Sequence, residues 1–113
     1  AIEVDWLYVD VLGELWPPEL EPLFPMDVRD DTGHLTLMSG ESLASHRQRL
    51  AAVRELLRNA FQNMSAADFV RPRELEEYFV TPAWVIHHLM QHEAEHRGQI
   101  MMLRDRAIAA AER

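Results

Sequence analysis

Residues 81–100 read TPAWVIHHLMQHEAEHRGQI, and this stretch decides the fold that we expect for the chain. Thr81 is a favourable N-cap and Pro82 fits the first position of a helix, so a helix is expected to begin here. Apolar residues recur at helical spacing through this stretch and beyond it. The pattern therefore predicts one long helix over residues 82–111.

Two histidines lie on the apolar face of this helix. Because an α-helix turns by about 100° per residue, His92 and His96 fall in the middle of the stripe that starts with Val85 and Leu89. A buried polar group without a partner costs about 1–3 kcal/mol, and one divalent cation would satisfy both rings together. The spacing predicts His92 and His96 as metal ligands, against the alternative of core histidines bonded to side chains or water.

Two further segments carry apolar residues at helical spacing. Residues 2–16 are expected to form the first helix, and residues 41–62 the second, with Ser39 as its N-cap. The inward face of the first helix is predicted to comprise Ile2, Val9, Leu12 and Trp16. A turn and a short strand at 34–37 are expected between these helices. Three long helices and little strand predict an all-α bundle in one domain, residues 1–113.

Composition excludes several classes of function. The net charge of −8 disfavours binding to nucleic acid and to anionic membranes, and no segment reaches the about 20 apolar residues of a membrane span. All basic residues are arginines, which rules out Schiff-base chemistry and a phosphate-loop lysine. There is no cysteine, so disulfides and thiolate ligands are excluded. We expect a soluble, cytoplasmic protein without nucleic-acid or membrane partners.

Other polar residues could take part in a metal site. Asp5 stands among apolar positions of the first helix, where a carboxylate needs a partner, and His46 falls on the apolar stripe of the second. Gln99 lies at the edge of the stripe that holds the histidine pair, where it could bond a ligand or a substrate. Gly98 would let another helix approach closely.

The pair also matches the H-E-x-x-H pattern of zinc metallopeptidases, in which Glu93 would be the general base. The usual extensions of that pattern are missing. A third histidine would fall at Met102, and a downstream acidic ligand could only be Asp105 or Glu112. Glu93 also lies off the stripe that holds the pair, so a peptidase is the alternative hypothesis.

The predicted last helix resembles that of the DinB superfamily. Members share a threonine-led helix, a histidine, then H-x-x-x-H-R-G-Q-I and a trailing L-R, which residues 81–100 followed by Leu103 and Arg104 match. The opening Ile2-Glu3-Val4-Asp5-Trp6-Leu7 also resembles the family's second helix, which starts with a histidine. The resemblance covers most of the chain, and its last helix is the specific part.

The resemblance implies a four-helix bundle whose core holds a divalent metal, zinc or nickel. His92 and His96 correspond to two of the family's three histidine ligands, while the third normally begins the second helix, where this sequence has Ala1. The family's first helix has no counterpart here, which suggests absent upstream residues. The third ligand would then be an upstream histidine, or be replaced by Asp5, His46 or water.

Family members of known activity include thiol-dependent S-transferases and a mycothiol-dependent maleylpyruvate isomerase. By resemblance, we expect a metal-dependent transferase that uses a low-molecular-weight thiol and a small-molecule substrate. Its pocket would be lined by residues such as Trp84, His88 and Gln99. The resemblance also implies a homodimer. A non-catalytic metal-binding or dimerisation module is the remaining hypothesis.

Overall fold

The computed structural model describes residues 1–113 and is mostly helical. The first helix, α1 (Ile2–Asp5), continues directly as a π-helical segment, Trp6–Leu12, and a 3₁₀ helix follows at Pro18–Leu23. The remaining elements are α2 (Leu43–Gln62), α3 (Ala66–Phe69), β1 (Arg73–Glu74), β2 (Phe79–Val80) and α4 (Pro82–Ala111). None of the helices combines the length and the apolar composition that a membrane span requires.

The helix α4 has the bounds that its sequence predicts. The hydroxyl of Thr81 accepts a hydrogen bond from the backbone N–H of Trp84 at 3.1 Å, and Pro82 occupies the first helical position. These two residues satisfy and shape the first turn, where backbone N–H groups have no partner inside the helix. Val85 and Leu89 are buried, which confirms the first part of the predicted core face of α4. The prediction that this face stays buried through the histidine pair is wrong, because His92 is only half-buried and His96 is exposed.

The second helix begins at Leu43, two residues after its predicted start at residue 41. Its N-cap is Ser42, whose hydroxyl accepts a hydrogen bond from the backbone N–H of Ser45 at 3.0 Å. The prediction of Ser39 as the cap is wrong. Gly40 stands between the two serines with a left-handed φ of 77°, which a continuing right-handed helix does not contain. The helix therefore cannot extend back across this glycine.

The first helix is shorter than predicted and buries a different face. It ends at Leu12, because Gly13 adopts a left-handed φ of 68°. Val4, Leu7 and Val11 are buried, in place of the four predicted inward residues. A π-helical turn bonds residue i to i+5 and so holds more residues than an α-helical turn. Faces assigned from a regular α-helix are therefore wrong in this segment.

The core consists of two small clusters, and the first helix contributes a residue to each. Val11, Val80, Val85 and Leu89 form one cluster. Val4, Leu20 and Val53 form the other. The first helix thus packs against both α4 and α2, and only the first part of α4 contributes buried residues. From Glu93 to Ala111 every residue of α4 is exposed.

A hairpin that the sequence did not predict lies between α3 and α4. Its strands β1 and β2 pair antiparallel, and the Arg73 guanidinium fastens β1 to the rest of the fold. Arg73 donates to the carbonyl of Val11 at 2.9 Å and to the Asp68 carboxylate at 2.9 Å. The strand expected at 34–37 is only a single bridge between Arg29 and Leu35. The helical class is confirmed, and the four-helix bundle stays a prediction.

Gly98 has no close neighbour, contrary to the expectation that another helix approaches there. A Cβ built on it would meet no atom within 4 Å. We expect Gly98→Ala to raise the free energy of unfolding by about 0.5–1 kcal/mol, because glycine in a helix carries that entropic penalty relative to alanine. Urea unfolding measures the change, with Gly33→Ala as the contrasting variant, since Gly33 has a φ of 81° that alanine disfavours. A loss of stability in Gly98→Ala would mean that a close partner exists.

Candidate metal centre

The structure brings the two predicted ligands into direct contact. His92 and His96 stand on successive turns of α4, and their Nε2 atoms are 2.9 Å apart. The ring planes are inclined by 81°, so the rings meet edge to face with both Nε2 atoms at the point of contact. The helix therefore directs the same atom of each ring to one place.

Neighbouring acceptors determine which nitrogen of each ring carries the proton. His96 Nδ1 lies 2.9 Å from the side-chain oxygen Oε1 of Gln99. An amide oxygen can only accept, so His96 Nδ1 donates and its Nε2 has a free lone pair. His92 Nδ1 is buried without a hydrogen-bond partner, and a carboxylate oxygen of Glu3 lies 3.8 Å away. The negative charge of Glu3 favours a proton on His92 Nδ1 as well.

This pattern of protons fits a cation between the rings. Without a cation, one Nε2 can donate a hydrogen bond to the other across 2.9 Å, whereas with both Nδ1 atoms protonated both Nε2 lone pairs are free to bind a positive ion. Two nitrogens bound to one zinc ion at about 2.0–2.1 Å each can be at most about 4 Å apart. The pair meets this condition. The structure contains no metal ion, and these two residues fit one.

Glu3 is a partly buried carboxylate beside the pair. Its side chain is 13% exposed. Burial raises the pKa of Glu3 above its usual value, the charge of Glu93 raises it further, and His92 opposes the shift. Glu3 is not among the four residues of the first helix that the sequence predicts to face inward, so its burial is a finding of the structure.

The structure does not bring the other candidate ligands to the pair. Asp5 accepts a hydrogen bond from the indole N–H of Trp16 at 2.9 Å, which satisfies this carboxylate. His46 lies in the same groove as the pair but faces Arg49 at 3.5 Å. No group of three or more His, Asp or Glu side chains is placed to hold a metal ion. The two histidines are thus the only preassembled part of the candidate centre.

Glu93 is engaged by an arginine. Its carboxylate forms an ion pair with Arg54 of α2 at 3.2 Å, and the Glu93 side chain is 46% exposed. A peptidase needs this residue free to take a proton from the attacking water. The ion pair instead gives Glu93 a role in joining α2 to α4.

The pair opens onto a groove of about 740 Å³. Its apolar wall comprises Phe24, Met26, Met38, Leu50, Val53, Ile100 and Met101. Ala1 and Arg97 line it as well. The walls of the groove come from α1, α2, α4 and the segment between residues 24 and 38.

The predicted pocket lining of Trp84, His88 and Gln99 is wrong. His88 stacks on Trp84 with ring centroids 4.9 Å apart, and meets the edge of Trp6 at 5.1 Å. None of the three predicted residues lines the groove. The sequence offers no signal for the residues that do line it between 24 and 38, because they belong to a segment without regular periodicity.

A comparison with known protein families gives a match. The model of the DinB superfamily matches residues 2–100. No curated protein and no solved structure shows significant similarity to the chain. The family match includes α1, α2 and the part of α4 that carries His92 and His96, as the resemblance of the last helix predicted. Since the match extends over most of its length, the chain belongs to the DinB superfamily.

Proposed function

We propose that the protein is a metal-dependent enzyme of the thiol-using S-transferase kind, with His92 and His96 as ligands of a zinc or nickel ion. The observation that carries the proposal is the contact of the two Nε2 atoms at 2.9 Å, with an acceptor facing each Nδ1 atom. This is the arrangement in which neutral imidazoles bind a cation.

The residues around the pair have separate roles in this proposal. Gln99 holds the His96 ring in the tautomer that binds a cation. The apolar groove keeps water from the reacting groups and accommodates the body of a small-molecule substrate. The bound cation would stabilise the ionised form of a thiol. Because the chain has no cysteine, that thiol must be a separate low-molecular-weight molecule.

The third ligand in this proposal is neither Asp5 nor His46. The resemblance places it at the start of the helix that corresponds to α1, and Ala1 there lines the same groove as the pair. A water molecule can occupy this position in the proposed site, and the thiol can displace it.

The proposal includes the family's four-helix bundle, a homodimer and a cytoplasmic location. The bundle and the homodimer are supported by the exposed second part of α4, which carries large apolar side chains that a folded protein normally covers. They are Ile100, Met101, Met102, Leu103 and Ile108. A further helix or a second copy packed along this part would bury them.

We expect metal-dependent conjugation of low-molecular-weight thiols to an electrophilic acceptor such as chlorodinitrobenzene. A chelator should abolish the reaction, and zinc or nickel should restore it. The variant Glu93→Gln should keep it, because Glu93 is paired with Arg54 rather than free as a base. The assay measures product absorbance, and a mixture of peptides is supplied in parallel.

Peptide cleavage that disappears in Glu93→Gln, without thiol conjugation, would replace the proposal with the metallopeptidase alternative. Metal binding without turnover in either assay would favour the non-catalytic module.

A further inference from the structure

We propose that Glu3 is a positioning residue for His92: its carboxylate holds the Nδ1-protonated tautomer of this histidine and so directs Nε2 to the cation. The inference rests on the proposed metal centre and concerns a residue of α1 that does not itself bind the ion.

The first support is the buried, unpaired nitrogen of His92. Its Nδ1 atom has no hydrogen-bond partner, and the Glu3 carboxylate lies 3.8 Å away. Buried polar groups without partners are rare in folded proteins, and each one needs a physical explanation. A gap of 3.8 Å is slightly longer than a hydrogen bond and closes with a small rotation of either side chain.

The second support is that Glu3 forms no other ion pair. Its contact with His92 is the one ion pair that its carboxylate makes. The other carboxylates near the pair are engaged, since Asp5 bonds to Trp16 and Glu93 to Arg54. Burying a carboxylate is costly unless a positive or hydrogen-bonding group compensates it. His92 is the group in place to do so.

The third support is that each histidine of the pair has an acceptor behind its Nδ1 atom. Metal-binding histidines almost always donate their second N–H to a carboxylate, a carbonyl or a water molecule. Gln99 accepts from His96 in this manner, and Glu3 occupies the corresponding position behind His92. A cation on Nε2 withdraws electrons from the ring and makes the Nδ1 proton a stronger donor. Metal binding should therefore close the gap between His92 and Glu3.

The test compares Glu3→Ala with Glu93→Ala, which removes the carboxylate that follows His92 in the sequence. Alanine is used at position 3 because a glutamine there could accept from His92 as Gln99 accepts from His96. Apo-protein is titrated with zinc and with nickel against a chromophoric chelator. We expect affinity for both metals to fall about 10–100-fold in Glu3→Ala, the usual effect of losing such a supporting residue. Glu93→Ala should stay within about threefold of the unaltered protein, because exposed ion pairs couple weakly to their surroundings.

A second measurement needs no metal. Long-range ¹H–¹⁵N NMR spectra of metal-free protein should show His92 protonated at Nδ1, and Glu3→Ala should lose this preference while His96 keeps its own. Equal metal affinities of Glu3→Ala and the unaltered protein would overturn the inference, as would an unchanged His92 tautomer in Glu3→Ala. Failure of the unaltered protein to bind zinc or nickel would instead contradict the proposed metal centre.

Discussion

The double variant His92→Ala, His96→Ala is expected to lose zinc and nickel binding altogether. Both nitrogens that face the proposed cation are removed, and no third His, Asp or Glu is placed to retain it. The fall in metal affinity should be larger than the one expected when only a supporting residue is removed, which is about 10–100-fold. Metal analysis of protein purified without chelators measures the content, and calorimetric titration measures the affinity.

The matched control for this prediction is His34→Ala, His87→Ala. It also removes two histidines, and both are exposed and outside the groove. This control should bind metal like the unaltered protein.

Metal at about 100 times its dissociation constant should also stabilise the unaltered fold by about 2.7 kcal/mol, and this increase should vanish in the double variant at positions 92 and 96. Unchanged metal content in that variant would refute His92 and His96 as ligands.

Leu89→Ala is expected to lower the free energy of unfolding by about 2–5 kcal/mol, as for other leucines removed from a packed core. Leu89 is 4% exposed and belongs to the cluster that joins α4 to the first helix and to β2. The free energy of unfolding of single domains is typically about 5–15 kcal/mol, so this one change removes a large share of the stability of the fold. Urea denaturation followed by circular dichroism measures it.

Met90→Ala serves as the comparison for Leu89→Ala. Met90 is the next residue of α4 and is 59% exposed, so its loss should change stability by less than about 0.5 kcal/mol. A similar cost for the two variants would mean that the exposed side of α4 is covered in solution. That result would support the proposed dimer or additional helix rather than an isolated chain.

Local signals made α4 predictable from the sequence. Thr81 and Pro82 act within one turn of the helix start, and Val85 and Leu89 follow at regular spacing. The pair His92 and His96 is equally local, because four residues in an α-helix fix its geometry. Ser42 shows the limit of such signals, since two serines near a helix start are equivalent in the sequence until the backbone at Gly40 distinguishes them.

The first helix could not be predicted to the same detail. No residue of Trp6–Leu12 signals the π-helical hydrogen-bond pattern of this segment. The faces of residues beyond Asp5 depend on this pattern, so an assignment that assumes a regular α-helix does not hold for them. The hairpin was missed for a different reason. Each strand has two residues, too few to show an alternating pattern.

The groove lay beyond sequence reasoning because it is a tertiary feature. Residues such as Phe24 and Met38 reach the histidine pair through a segment without regular structure. The ion pair between α2 and α4 also depends on tertiary packing. Arg54 and Glu93 are far apart in the sequence, and only the packing of α2 beside α4 makes them neighbours.

Because the first part of α4 is packed and the second part is exposed, the two parts should differ in how easily the helix unfolds locally. Backbone amides near Val85 and Leu89 can exchange with solvent only when the core opens, whereas those beyond Glu93 are protected by little more than the helix itself. His92 and His96 stand on either side of this change. The position of the first imidazole is thus fixed by the tertiary structure, and that of the second by a single helical turn, so fraying of α4 from its C-terminal end reaches the candidate centre first at His96.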